Sequence, residues 1–340
     1  MAVFVVRRLL FTIPLLLVVS FLVFSIVTAF PGDPCREKLG QHPNVEAMAG
    51  CRQELHLDEP FFERYWTFLK GAVQLDFGKD LFTNEDVGRV ILQKLPATIE
   101  LSLAALLIAV LVGIVVGTRS ALKPGGWADL GGQILSLGGV SIPVFWLGMM
   151  LIALFGVKLG WLPFSGWTPS GIGPGVDYHT SFLLGESLLR GEWAAVGHAL
   201  AHLVLPAVAL STIPMATITR MTRSSILEEV KKDYVTTARA KGLTERRVIG
   251  HHVRRNALIP VVTITGLQLG TLLSGAVLTE TVFSWPGMGT HLVHAAARRN
   301  YPVLLACMLL FTLLFVLINL AVDVLYHVID PRMRATEKSP

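Results

Sequence analysis

The chain has 340 residues, of which 52% are hydrophobic and only 16% charged. Soluble domains carry roughly 25% charged residues, so this composition excludes an ordinary soluble domain and points to a polytopic membrane protein. The net charge of +5 is not a nucleic-acid signature, because the basic residues gather beside apolar runs, where the retention of Lys and Arg on one side of a membrane accounts for them.

The first apolar run, Leu9 to Phe30, is roughly 22 residues, long enough at 1.5 Å per residue to cross a hydrocarbon core of about 30 Å. It exceeds a secretory h-region and no small-x-small site follows, so no cleaved leader is expected. Arg7 and Arg8 place the N-terminus inside, and Pro31-Gly32-Asp33-Pro34 ends the helix. From Cys35 to about Pro96 the chain is polar, and Phe61, Phe62, Tyr65, Trp66 and Leu69 follow one helical face. This predicts a small external subdomain with short helices lying on the membrane surface. Further spans are predicted at Thr98 to Thr118, at Leu130 to Val157 (interrupted by Ser141-Ile142-Pro143), at Ala199 to Thr219, at Ile259 to Thr279 and at Pro302 to Val328. A second external loop, Lys158 to His198, is rich in Gly and Pro and carries Trp161 and Trp167, which suit an interfacial belt. The external turn Glu280 to Tyr301 contains SWPGMG, and Arg332, Arg334 and Lys338 put the C-terminus inside. The expected fold class is therefore an all-α polytopic membrane protein with six transmembrane helices, both ends cytoplasmic, and no sequence repeat.

Between the fourth and fifth spans lies the most densely charged stretch, Thr222 to Pro260. Ser224 to Lys232 and Asp233 to Lys241 read as helix, with Glu228, Glu229 and Asp233 early and Arg239 and Lys241 late, matching the helix dipole. Gly242 fits a C-terminal stop, and Thr244 is a candidate N-cap for a second short helix, Glu245 to about Val253. A basic stretch between spans belongs on the cytoplasmic side, and this one is patterned as a folded surface for a soluble partner.

The chain contains no phosphate-cradling G-x-x-x-x-G-K-[ST] loop, no H-E-x-x-H, no G-x-S-x-G and no G-x-G-x-x-G opening a helix. It is therefore not expected to bind ATP in the usual way or to be an enzyme. His198 with His202, and His291 with His294, have spacings that could hold a metal; packing or interfacial histidines are the plainer account. Glu280 reads as a gate or a substrate amine contact, or else as a carboxylate hydrogen-bonded at the interface. Glu100 lies near a span end, and Asp323 reads as a structural pair with a neighbouring helix. The fifth span is rich in Gly, Ser and Thr; Gln268 and Ser274 either line a pathway or pack helices. Arg220, Arg223, Arg254 and Arg255 read as topology holders or lipid-phosphate contacts. Cys35 and Cys51 share the first external loop and could bridge in an oxidising compartment; Cys307 reads as a buried small hydrophobe.

DYVTTARAKGL, the later RNALIP and the order of six spans resemble the permease subunits of ATP-binding-cassette importers of the peptide and nickel group, and within it most of all the first of the two paired dipeptide permeases. Thr236, Thr237 and Ala238 stand where that family has Glu-Ala-Ala in its cytoplasmic loop motif, Gly242 is the motif glycine, and Leu258-Ile259-Pro260 stands near its Leu-Pro with one inserted residue. FPGDP (Phe30 to Pro34), PATIELSLAA (Pro96 to Ala105), SIPVFWLGMMLI (Ser141 to Ile152) and the stretches His202 to Ser225, Gly266 to Gly289 and Asn319 to Arg332 also resemble the group.

The resemblance implies a type I ABC importer permease fold. Residues 1–95 would hold the first helix and the external subdomain, 96–329 the shared transmembrane domain with its coupling segment 222–258, and 330–340 a cytoplasmic tail. It implies a bacterial inner membrane protein whose partners are a second, non-identical permease subunit, two ATP-binding subunits that alone hold ATP, and an external substrate-binding protein, with no cofactor of its own. It implies that Thr236, Thr237, Ala238, Arg239, Lys241, Gly242, Leu243 and Thr244 meet the ATPase. Di- or oligopeptides are the expected cargo; nickel, haem or another small solute remains open, as does a self-sufficient secondary transporter, for which neither inverted repeats nor charged midplane residues are found.

Overall fold

In the computed structural model, which describes residues 2–29, 32–40, 43–166 and 182–329, the long apolar runs become helices. Phe30, Pro31, Trp167, Arg332, Arg334 and Lys338 lie outside the described residues, as do the expectations placed on them. The apolar helices are α1 (Ala2–Ala29), α5 (Val87–Leu122), α9 (Trp193–Glu229), α12 (Arg254–Phe283) and α14 (Tyr301–Ile329). Each contains a stretch long and apolar enough to cross a bilayer.

The remaining expected span is not one straight helix. α6 (Trp127–Ser141) and α7 (Val144–Leu151), the latter continuing as a π-helical turn Ile152–Lys158, meet at 106°. Pro143 supplies no amide hydrogen and pushes Ile142 into extended backbone (φ −86°, ψ 124°), so the helix cannot pass through this point. Counted as one broken span, the pair brings the total among the described residues to six.

α5 starts well before the expected Thr98. Asp86 caps it, its carboxylate accepting from the Arg89 amide at 2.8 Å, and Pro96 lies inside the helix instead of ending a loop. α5 and α9 form the central pair. A Cβ on Gly113 would stand 2.8 Å from the Ile218 side chain, and one on Gly117 would stand 2.6 Å from the Thr219 carbonyl. Glycine is thus what lets the two backbones approach. α12 closes one side of the pair, with Leu272 and Ala276 meeting Leu101, Leu203 and Leu210 in a shared core.

Between α1 and α5 the chain builds a subdomain from α2 (Pro34–Leu39), α3 (Val45–Glu54) and α4 (Phe61–Val73). Asp33 and Asn44 cap the first two helices, and a disulfide joins Cys35 to Cys51. Arg52 ties the turn together, bonding Asp33 at 2.7 Å and Asp58 at 2.8 Å. Phe61, Tyr65 and Phe68 of α4 pack with Phe24 of α1 and with Tyr301 and Leu305 of α14. The subdomain therefore rests on two spans.

Candidate functional site

At one end of the bundle the chain makes an elbow. The expected helix Ser224–Lys232 is not separate: its residues through Glu229 are the last turns of α9. After a turn comes α10 (Asp233–Ala240), and then Gly242 at φ +79°, a left-handed conformation that glycine adopts without strain. The second short helix is not separate either. α11 (Glu245–Arg247) and a π-helical turn, Val248–Val253, run straight into α12, so that Glu245–Phe283 is one continuous 39-residue stretch. Thr244 occupies the N-cap position, but its side chain makes no cap bond. The reason is register: the apolar pattern of Val248, Val253, Ala257 and Val261 never breaks, so nothing stops the helix before the membrane.

α10 is amphipathic on this base. Val235 and Ala238 are buried against Ala121, Ile226, Val248, Val253 and Ala257; burying the valine alone contributes about 2 kcal/mol. Thr236, Thr237, Arg239, Lys241, Gly242 and Thr244 face outward, and Leu243 is half-buried. Two clamps hold the step. Tyr234 donates to Glu229 Oε2 at 2.5 Å and accepts from Asn256 Nδ2 at 3.1 Å, joining α9, α10 and α12 through one phenol, while Lys232 pairs with the same Glu229. Burial first, then the bond to Glu229, pushes the Tyr234 phenol above its ordinary range, so it stays a donor. Arg239 grips Glu245 across the glycine, with Nε at 2.6 Å from Oε1 and Nη2 at 3.4 Å from Oε2.

The opposite end carries a clasp. After α12, Trp285 donates its indole N–H to the Ala97 carbonyl at 2.9 Å, and the Met288 amide donates to Thr98 Oγ1 at 2.9 Å. Both bonds fix the start of α13 (Met288–Ala297) to α5. Glu280 is 0% exposed, and its Oε2 accepts from the Thr290 amide at 3.0 Å in the first turn of α13. A Cβ on Gly287 would stand 2.3 Å from this carboxylate. Glu280 is thus enclosed within the subunit, where its carboxyl group accepts from a free amide at the start of a helix. Glu100, buried in α5, does the same for α8 (Leu183–Arg190), accepting from the Leu184 amide at 2.6 Å.

Ser274 is exposed on α12, in a stripe with Leu267, Thr271 and Leu278; Gln268 lies beside it, half-buried and bonded to Thr271 at 3.1 Å. Lipid gives no reason for hydroxyls in such a stripe. The His198 and His202 rings lie 4.2 Å apart, tilted by 34°, and His202 Nδ1 lies 2.9 Å from the His198 carbonyl. Burial holds the His291 imidazole below its ordinary range. Among the described residues no three His, Cys, Asp or Glu side chains converge as metal ligands. Cys307 is buried, and Asp323 lines a small cavity with Thr12 of α1 and Asn319.

Sequence reasoning missed one pair. Arg223, read there as a topology holder, binds the buried Asp129 of α6 with two bonds, Nε to Oδ1 at 2.6 Å and Nη2 to Oδ2 at 2.8 Å. Asp129 also accepts from the Gly125 amide at 2.9 Å. The bond locks the first half of the broken span to α9 just above the elbow. Arg220, Arg254 and Arg255 are exposed.

The sequence matches two family descriptions: residues 87–335 match "Binding-protein-dependent transport system inner membrane component", and residues 1–104 match "Binding-prot-dependent transport system membrane comp, N-term". It is 46% identical over 334 residues to the Di/tripeptide transport system permease protein DppB of Pseudomonas aeruginosa (strain UCBPP-PA14), covering 97% of this chain and 98% of that one. It is 43% identical over 333 residues to the Dipeptide transport system permease protein DppB of Escherichia coli K12, with the same coverage of 97% and 98%. The Glutathione transport system permease protein GsiC of that strain is 38% identical over 331 residues, again covering 97% and 98%. Among solved structures, the "Crystal structure of an amino acid ABC transporter with histidines" shares the fold at a TM-score of 0.50 and 12% identity, covering 70% of this chain and 94% of that one.

Proposed function

We infer that this chain, which belongs to the family of binding-protein-dependent transport system inner membrane components, is a non-catalytic permease subunit of an ATP-driven peptide importer. The observation that carries the coupling role is the elbow: an amphipathic helix with a buried base and an outward face, clamped to the ends of two spans. Thr236 to Thr244 is the surface that meets an ATPase subunit, and ATP is held by that partner. The closing of the ATPases moves α10, and α9 and α12 carry the movement through the membrane.

A second permease subunit completes the pathway. The Thr271 and Ser274 stripe with Gln268 on α12 is the face that it and the cargo share. The elbow and both termini lie in the cytoplasm, while the clasp and the subdomain closed by Cys35–Cys51 lie outside, where a substrate-binding protein docks. The arginines and lysines gathered at the elbow support this orientation, and so does a disulfide, which needs an oxidising compartment. Residues 1–95, 96–329 and 330–340 divide as subdomain-bearing first helix, shared transmembrane domain and tail, although α5 runs unbroken through 95 and 96.

Short peptides are the proposed cargo, because the similar permeases are named for dipeptides, di- and tripeptides and glutathione, all built on the peptide unit. Nickel, haem or another small solute is the second reading. Family membership leaves a self-sufficient secondary transporter without support. The test is purification of the detergent-solubilised transporter with stimulation by loaded binding protein. The chain should bring down two ATPase subunits, and dipeptide-loaded binding protein should raise ATP hydrolysis. Recovery of no ATPase would sink the coupling role. Stimulation by a nickel- or haem-loaded protein but not by a peptide-loaded one would sink the cargo.

A further inference from the structure

Helix α4 has more apolar surface than its protein contacts use. At 3.6 residues per turn all its side chains but that of Arg64, which lies over the Phe24 ring, fall into three groups. Phe61, Tyr65, Phe68 and Ala72 form the packed side: the Phe61 and Tyr65 rings lie 5.8 and 5.3 Å from Phe21, and Phe68 stacks on Phe24 at 5.5 Å. Glu63, Thr67 and Lys70, with Gln74 at the C-cap, form a polar side. Between them runs a second apolar stripe of Phe62, Trp66, Leu69 and Val73, in which Phe62 is 72%, Trp66 56% and Val73 81% exposed. The single face expected from the sequence is therefore two adjacent faces, only one of which the protein covers.

The depth of α4 says what covers the other. The Tyr65 hydroxyl lies 2.9 Å from Ser20 Oγ and donates to the Leu17 carbonyl at 3.2 Å. α4 thus crosses α1 between residues 17 and 24, within the apolar stretch Leu10–Ala29. That is roughly 8–18 Å short of the end of α1 at 1.5 Å per residue. At the crossing Leu17 and Phe21 of α1 are themselves exposed, so the open stripe continues the bare surface of a span. Thirteen residues reach only about 20 Å, too little to cross a core of about 30 Å. The Lys70 ammonium sits 5.4 Å over the Trp66 ring, the pairing of cation and indole that suits the headgroup border.

We propose that α4 is embedded in the bilayer leaflet at the C-terminal end of α1, with Phe62, Trp66, Leu69 and Val73 among acyl chains and Lys70 and Gln74 at the headgroups. The occupant of the stripe is lipid, and the disulfide-closed subdomain is moored to the bilayer as well as to α1 and α14. This rests on α1 being a span, and the test separates the two. In the assembled transporter, reconstituted in phospholipid vesicles on a Cys307→Ala background, an environment-sensitive fluorophore is placed through Phe62→Cys, Val73→Cys, Thr67→Cys or Val18→Cys. The Phe62 and Val73 labels should lose emission to lipids brominated in the acyl chain and ignore aqueous iodide; the Thr67 label should do the reverse. Iodide quenching of the stripe labels while the Val18 label stays lipid-quenched overturns the embedding alone. Iodide reaching Val18 as well overturns the span reading with it. Stripe labels shielded from both quenchers mean that a protein covers the stripe, and this too overturns the proposal.

Discussion

At the scale of single residues, Gly242 holds the elbow in a left-handed conformation that glycine adopts without strain. Its φ of +79° costs an L-residue about 1 kcal/mol, and its amide donates to the Arg239 carbonyl at 2.9 Å. Gly242→Pro removes that donor and forbids that φ. Membrane insertion should be unchanged while peptide-stimulated ATP hydrolysis in the assembled complex is lost; hydrolysis rates with and without loaded binding protein check it. His291 makes a pH prediction. Burial lowers its pKa, with Lys94 and His294 acting in the same direction and Asp80 and Glu85 against it. The unfolded chain therefore takes up a proton first, at about pH 6.5, so stability is full above that pH and falls as the pH drops through it. His291→Gln should flatten the fall in Tm between about pH 7.5 and 5.5. Gly242 was legible in the sequence because a glycine after a charged helix has one common use. The Arg223–Asp129 bond was not: its partners are 94 residues apart, and each alone looks like an ordinary charge beside a span.

At the scale of elements, the spans were legible because a bilayer demands about 20 apolar residues, whereas their ends were not. Pro96 looked like a loop residue, yet Asp86 had already capped α5. From sequence alone the elbow shows as two short helices, because charge hides the apolar register of Val248, Val253 and Ala257, which joins it to α12. The clasp depends on a fit that no local pattern announces. Gly287→Ala would place a methyl within 2.3 Å of the Glu280 carboxylate, and a clash of this kind typically costs 1–3 kcal/mol. The double substitution Gly287→Ala with Glu280→Asp, which draws the carboxylate back by one methylene, should recover part of the loss. Thermal unfolding of the two single variants and the double variant measures the coupling, and strictly additive losses would show that the two sites do not touch.

At the scale of the whole molecule, the elbow and the clasp are the two ends of one object. The helical stretch Glu245–Phe283 begins three residues after Gly242 and ends beside the indole that holds α5. α9 runs beside it, pinned to α6 by Arg223 and to the elbow through Glu229 and Tyr234. The π-helical turn Val248–Val253 lies between the elbow and the membrane, the kind of local irregularity that often marks functional positions in helices. Bundles of this kind deform by switching between packed states. In kinetic terms, a rod held at both ends has no relaxation of its own. Fluorophores at Thr237 and at His294 should then follow a nucleotide jump with a single shared rate constant, whichever side of the membrane is watched. Two different constants, read by stopped-flow, would place a slow joint inside the rod. If the constants agree, the movement of α13 alone would time the movement of the elbow at the far end of the rod.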